Sequence, residues 1–266
     1  MRRFFVALLC LLMAGPLVVG LQTRAADQIG DGTWRRIRVP ILMYHYISPL
    51  PEDADDIRTD LTITPDLFRE HMAYLAAEGY DTITLDHLEA ALLWGHPLPD
   101  NPVILTFDDG YTDHYEYVLP VLQDYGFTGT FFVITGRADR ADAGYLTWAQ
   151  IKMMADGGMN MQPHTKNHVD LRERDREFLV YEMLGSRESV EAHTGHAARM
   201  FSYPAGRYDA MTLDVAEALD LALAVTTRPG MLHTTDARLE LPRVRVHGDT
   251  TAAGLAYLLS GAWIDQ

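Results

Sequence analysis

Short apolar runs alternate with segments of helical periodicity along most of the chain. Runs at 39–44, 82–85, 103–107, 130–134, 159–162, 199–203, 222–226 and 242–247 predict buried strands. Between them, Thr64-Pro65-Asp66 predicts a helix start, with Thr as cap and Pro in the first turn. Leu67, His71, Tyr74, Leu75 and Glu78 then follow at helical spacing, and Gly79 closes the helix. Asp86 is expected to cap a helix running through Leu93. Further helices are predicted at 115–125, stopped by Gly126, at 147–156, ended by Gly157-Gly158, at 174–193, at 209–219, and from about Thr250. The acidic stretch 50–60, with Pro51 inside it and Pro49 before it, predicts an exposed loop.

Strand–helix alternation without an internal boundary, repeat or low-complexity tract predicts a single α/β domain built on a parallel sheet. Seven to eight repeats predict closure of that sheet into a (β/α) barrel. The N-terminus has a different pattern. Arg2 and Arg3 precede an apolar run at 4–21, and Thr23-Arg24-Ala25 offers small residues for cleavage. Residues 1–25 are therefore expected to be a secretory signal, with an uncleaved anchor as the alternative. Residues 26–37 are expected to be a polar linker and 38–266 the folded domain. This predicts an exported protein, periplasmic or extracellular, that meets a membrane only through an uncleaved N-terminal segment.

Composition narrows the picture. Hydrophobic residues make up 48% of the 266 and charged residues 22%, enough for a core and too few charges for wholesale disorder. The formal charge of −15 argues against nucleic acid or a bare anionic membrane as partner. The one cysteine, Cys10, lies in the expected signal, so the mature chain has neither disulfide nor thiol chemistry. No oligomeric state is readable.

Two motifs carry chemistry. Leu105-Thr106-Phe107-Asp108-Asp109-Gly110 ends an apolar strand in paired carboxylates, and His164-Thr165-Lys166-Asn167-His168 places two histidines four apart. On a helical turn that spacing would put both rings on one side. One Asp and two His suit a divalent metal, leaving the other Asp free to act as a base, as metal-assisted hydrolysis needs. Zinc is the default ion, with cobalt, nickel, iron or manganese able to use similar ligands. Blander readings are a capping turn at 108–110 and a surface histidine pair. In a barrel, chemistry gathers at the C-terminal ends of the strands. His45, Asp108, Asp109, His164, the Pro204-Ala205-Gly206 turn and His247 all fall at such ends. No Ser or Cys nucleophile motif appears there. His71, His87, His96, His193, His196 and His233 are expected to be surface or packing residues. His114 is left unassigned, and Tyr111 and Trp148 are expected to pack near the site or stack on a sugar.

The chain resembles the NodB-homology polysaccharide deacetylases, carbohydrate esterase family 4. Thr106 to Gly110 matches the first family motif, His164 to His168 the second, and Tyr203-Pro204-Ala205-Gly206 more weakly the third. The resemblance implies a distorted (β/α) barrel that hydrolyses N-acetyl or O-acetyl groups on glycans. By position, it makes Asp108 the general base and Asp109, His164 and His168 the metal ligands. The backbone N–H of Ala205 would stabilise the oxyanion. Two departures matter. Ser202 stands where the family usually has the Arg that orients the base, which makes Arg243 the candidate replacement and Arg207 the next. The usual C-terminal Leu-x-His is reduced to Arg245-Val246-His247. Met43-Tyr44-His45-Tyr46 resembles the poly-N-acetylglucosamine deacetylase subgroup, whose general-acid His comes from the first strand. That implies His45 as the acid, with His247 as the alternative. The implied reaction is N-deacetylation of a glycan of N-acetylglucosamine units. Alternatives are an O-acetyl esterase on a decorated glycan, an inactive glycan- or metal-binding barrel, and a metal-dependent sugar-processing protein that makes no acetyl cut.

Overall fold

The computed structural model describes residues 29–264. In chain order these form β1 (Arg36–Arg38), β2 (Ile41–Tyr44), β3 (Tyr46–Ile47), α1 (Asp56–Leu61), β4 (Thr62–Ile63), α2 (Pro65–Ala77), β5 (Asp81–Ile83), α3 (Leu85–Trp94) and β6 (Pro102–Phe107). After a π-helical turn at His114–Val118 come α4 (Leu119–Tyr125), β7 (Thr130–Val133), α5 (Thr135–Arg140), α6 (Trp148–Asp156), β8 (Asn160–Pro163), α7 (Arg176–Thr194) and β9 (Met200–Ser202). A 3-10 turn at Pro204–Gly206 leads to α8 (Ala210–Ala218), β10 (Leu223–Pro229), β11 (Leu232–Thr234), β12 (Leu241–Arg245) and α9 (Ala252–Ser260).

Eight of the strands form one parallel sheet in the order β8-β7-β6-β2-β12-β10-β9, with β5 also on β6. The sheet curls into a nearly closed barrel. Among the described residues no backbone ladder joins its two ends, β8 and β9. Side chains span the seam instead. Gln162 Oε1 accepts the Met200 N–H at 2.9 Å, and His164 Nδ1 lies 2.7 Å from the Ser202 carbonyl.

Strand period decides which residues face inward. Ile41, Ile104, Phe132, Met200, Leu223, Val225 and Leu241 share one buried cluster, to which α3 adds Leu85, Leu88 and Leu92. Their neighbours Leu42, Leu105 and Phe131 pack in a second cluster with Phe68, Met72 and Leu75 of α2. Each such side chain contributes roughly 1.5–3 kcal/mol when fully buried. Continuing the inward face by twos leads from Ile41 to His45, from Ile104 to Asp108 and from Leu241 to Arg243. The apolar pattern that builds the barrel thus also aims three polar side chains at its mouth.

Three expectations need correction. Residues 50–60 are not all loop, because Asp56–Leu61 is helical. It is a single short helix with no buried residue, so it leaves no apolar stripe to read. Helix α3 is capped by Thr84 in extended backbone, with Asp86 inside the first turn. The expected linker is tied down where it is described. Asp31 N–H donates to the Leu93 carbonyl at 3.0 Å, and β1 pairs antiparallel with β11. The expected signal or anchor at 1–25 lies outside the described residues. No helix among the described residues is long and apolar enough to cross a membrane.

Candidate active site

His45, Asp108, Asp109, His164, His168 and Ala205 line one cavity of about 270 Å3, with Ile57, Leu61, Thr227 and Arg245 at its rim. Asp108 is the first residue past β6, its N–H still held by the Tyr44 carbonyl at 3.0 Å. Arg243 of β12, one strand beyond β2, reaches it as a fork, at 2.8 Å and 2.6 Å. The guanidinium is itself fixed by the Thr226 carbonyl at 2.9 Å and Thr106 Oγ1 at 3.1 Å. Ser202 Oγ lies 3.3 Å from the same Arg243 and 3.4 Å from Asp108. The small Ser202 therefore sits beside an arginine supplied by another strand. Arg207, the other candidate, is turned to Asp170. Burial pushes the Asp108 carboxyl up, but the charge and hydrogen bonds of Arg243 outweigh it and hold the pKa down at about 2.

Asp109 follows with φ of 75°, a left-handed conformation that turns its carboxylate beside that of Asp108. Its Oδ2 accepts a hydrogen bond from Tyr111 Oη at 2.9 Å. Its Oδ1 is buried and accepts none. His164 Nε2 and His168 Nε2 stand 3.4 Å and 3.3 Å from that oxygen. The three ligand atoms lie within 4.8 Å of one another. With its Nδ1 held at the Ser202 carbonyl, His164 presents Nε2 to the same point. A buried carboxylate oxygen without a donor, faced by two imidazole nitrogens, fits a divalent cation. Burial opposes ionisation of Asp109, yet His164, His45 and His168 keep its carboxyl well below the usual range. Burial, then the charge of His164, lowers the His168 pKa, a shift in the direction metal binding needs, whereas at His164 burial is outweighed by the contact with Asp109 and the charge of Asp108, which raise its pKa.

The two histidines do not share a helical turn. His164 follows β8, and the chain then makes a tight loop with Thr165 at φ 61° and His168 at φ 53°. Left-handed backbone at two non-glycine residues costs energy that the surroundings must offset. His168 N–H donates to Thr165 Oγ1 at 2.8 Å, and Gly136 N–H to the Lys166 carbonyl at 2.8 Å.

His45 follows β2 and faces the carboxylates. Burial lowers its pKa, with Asp108 and Asp109 pulling the other way. Its carbonyl lies 2.7 Å from Nε2 of the buried His114. His247 does not line this cavity. Its Nδ1 lies 2.7 Å from Asp60 Oδ1, in a separate cavity of about 480 Å3. Ala205 has φ of 51°, and its N–H donates to no acceptor among the described residues. Trp148 stacks on His193 at 3.9 Å. Tyr111, expected to pack near the site, and His114, left unassigned, both contribute to it. Tyr111, stacked on Tyr46 at 3.7 Å, supports Asp109, and His114 supports the backbone of His45.

Residues 95–224 match the family described as Polysaccharide deacetylase. YxkH of Bacillus subtilis (strain 168), a protein named for that family, is 32% identical over 234 residues, 88% of this chain and 78% of YxkH. The Escherichia coli (strain K12) poly-beta-1,6-N-acetyl-D-glucosamine N-deacetylase is 28% identical over 130 residues, 44% of this chain and 19% of that protein. Among solved structures, the Streptococcus pyogenes deacetylase PplD in complex with acetate superposes with a TM-score of 0.78 at 31% identity. The match covers 85% of this chain and 99% of PplD.

Proposed function

Because the chain belongs to the polysaccharide deacetylase family, we propose that it is a metal-dependent hydrolase removing N-acetyl groups from a polysaccharide of N-acetylglucosamine units. The observation that carries the metal dependence is Asp109 Oδ1, buried without a donor and flanked by His164 and His168 Nε2. A divalent cation held by these three residues, zinc by default, supplies a polarised acetyl carbonyl and a water of lowered pKa. Asp108, kept ionised by Arg243, takes the proton of the attacking water. As the water oxygen bonds to the carbonyl carbon, the Ala205 N–H donates to the developing oxyanion. His45, which lines the same cavity, gives a proton to the sugar nitrogen as the C–N bond breaks, leaving acetate and an amine. Arg243 is a positioning residue that acts through Asp108.

The E. coli relative supports the N-acetyl glycan, over the 130 residues it shares with this chain. Arg2, Arg3 and the apolar run after them support export and action on a glycan outside the cytoplasm. The test is acetate release from poly-N-acetylglucosamine, chitin oligomers and an aryl acetate, with zinc or cobalt added, by wild type and Asp108→Asn. Zinc-dependent release from poly-N-acetylglucosamine that Asp108→Asn abolishes is expected. Release only from the aryl acetate would replace the N-acetyl reading with an O-acetyl esterase. No release from zinc-loaded protein would favour a binding barrel.

A further inference from the structure

The apolar stripe of α7 contains a carboxylate. Leu179, Met183, Ser186 and Val190 are buried along it at helical spacing, and Glu182, only 1% exposed, stands among them. A charge there needs hydrogen-bond partners. Glu182 finds them in the loop between the two histidines. Its Oε2 accepts the backbone N–H groups of Lys166 and Asn167, each at 3.0 Å, and its Oε1 accepts from Asn167 Nδ2 at 2.7 Å. From the other side, Thr135 and Gly136 hold the carbonyls of Thr165 and Lys166. A Cβ on Gly136 would collide with that Lys166 oxygen. The held residues lie between Thr165 and His168, both in left-handed backbone.

We infer that Glu182 is a positioning residue of the metal centre: from outside the barrel, it holds the loop that sets His168 against His164 and Asp109. This rests on the metal reading above. Glu182 reaches no reacting atom and acts through the backbone that carries the second ligand. A purely structural Glu182 would lower the melting temperature and leave the metal affinity of the folded protein unaltered.

The test is zinc affinity of the full chain, by competition with a chromophoric chelator, for wild type, Glu182→Ala and Glu182→Gln. Melting of the metal-free proteins and kcat at saturating zinc are read alongside. Glu182→Ala is expected to weaken zinc binding by about 10- to 100-fold, as loss of a residue supporting a ligand does. Its kcat should recover when zinc saturates, because Asp108 and Arg243 are untouched. Glu182→Gln keeps one acceptor oxygen for the two backbone N–H groups, loses the one that accepts from Asn167 Nδ2, and loses the charge. It should lose about three- to tenfold, since charge-assisted hydrogen bonds are about twice as strong as neutral ones. A folded Glu182→Ala with wild-type affinity would overturn the inference. If that variant does not fold, Glu182→Gln with unchanged affinity would overturn it equally. Wild type that bound no divalent metal would remove the metal reading and this inference together.

Discussion

At the residue scale the deciding contact is Asp108–Arg243. Both side chains are almost fully buried, so each charge depends on the other. Removing one partner of such a pair typically costs about 3–5 kcal/mol, because the remaining charge is left uncompensated. Arg243→Met is expected to lose about that much on urea unfolding and most of its activity. The double variant Asp108→Asn with Arg243→Met should regain part of the stability, and strictly additive losses would show the pair to be uncoupled. The sign of the pH effect follows from the same contact. With its pKa held at about 2 in the fold, Asp108 contributes stability that is present above about pH 4 and lost as pH falls through 2. Without Arg243, burial is opposed only by His164 and His45, and the pKa of the carboxyl rises. The acid limb of kcat/KM in Arg243→Met should therefore move to higher pH. Tyr111 offers a second test at this scale. Its hydroxyl holds Asp109 Oδ2 and leaves Oδ1 free for the proposed metal. Tyr111→Phe should weaken zinc binding by about tenfold or more, and an unchanged affinity would remove that role.

At the element scale, the strands of the barrel were legible because each is a buried run, and helices such as α2, α6 and α7 because each carries an apolar stripe. Helix α1 was not, having no buried residue. Nor was the β1–β11 ribbon, where Arg36 and Arg38 are exposed and alternate with a single half-buried Ile37. That ribbon contains a pH-sensitive residue. His233 on β11 is fully buried, its Nε2 2.8 Å from the Val39 carbonyl, and burial pulls its pKa to about 4. An unfolded histidine titrates near 6.5, so the unfolded chain takes up the proton first. The stability from the neutral ring is complete above pH 6.5 and lost as pH falls toward 4, about 3 kcal/mol in all. His71, lowered by burial too, acts in the same direction. His233→Gln, whose amide can still donate to Val39, should flatten the stability curve between pH 7 and 4. Urea midpoints that fell in parallel for both proteins would contradict this.

At the scale of the whole molecule, the barrel is open by one seam, and the site is built across it. Gln162 of β8 and His164 just after it both reach to β9, one to hold the Met200 N–H and the other the Ser202 carbonyl. Gln162→Leu should leave that buried N–H without an acceptor, at a cost of about 1–3 kcal/mol. Hydrogen exchange at Met200 should quicken and zinc affinity fall as the seam loosens; unchanged exchange would mean that other contacts close the barrel. The sequence by itself determined the strand–helix order and the residues able to bind a metal or take a proton. Those are properties of periodicity and residue type, which are local. It did not determine that Arg243 rather than Arg207 reaches Asp108, that His247 turns to Asp60, or that His164 and His168 meet through a strained loop instead of a helical turn. Nor did it show that Glu182 and Tyr111 support the ligands. Those outcomes depend on which strands become neighbours when the sheet curls. The assembled sheet sets β12 next but one to β6, past β2, and packs α7 on β8, so the tertiary structure alone decided them.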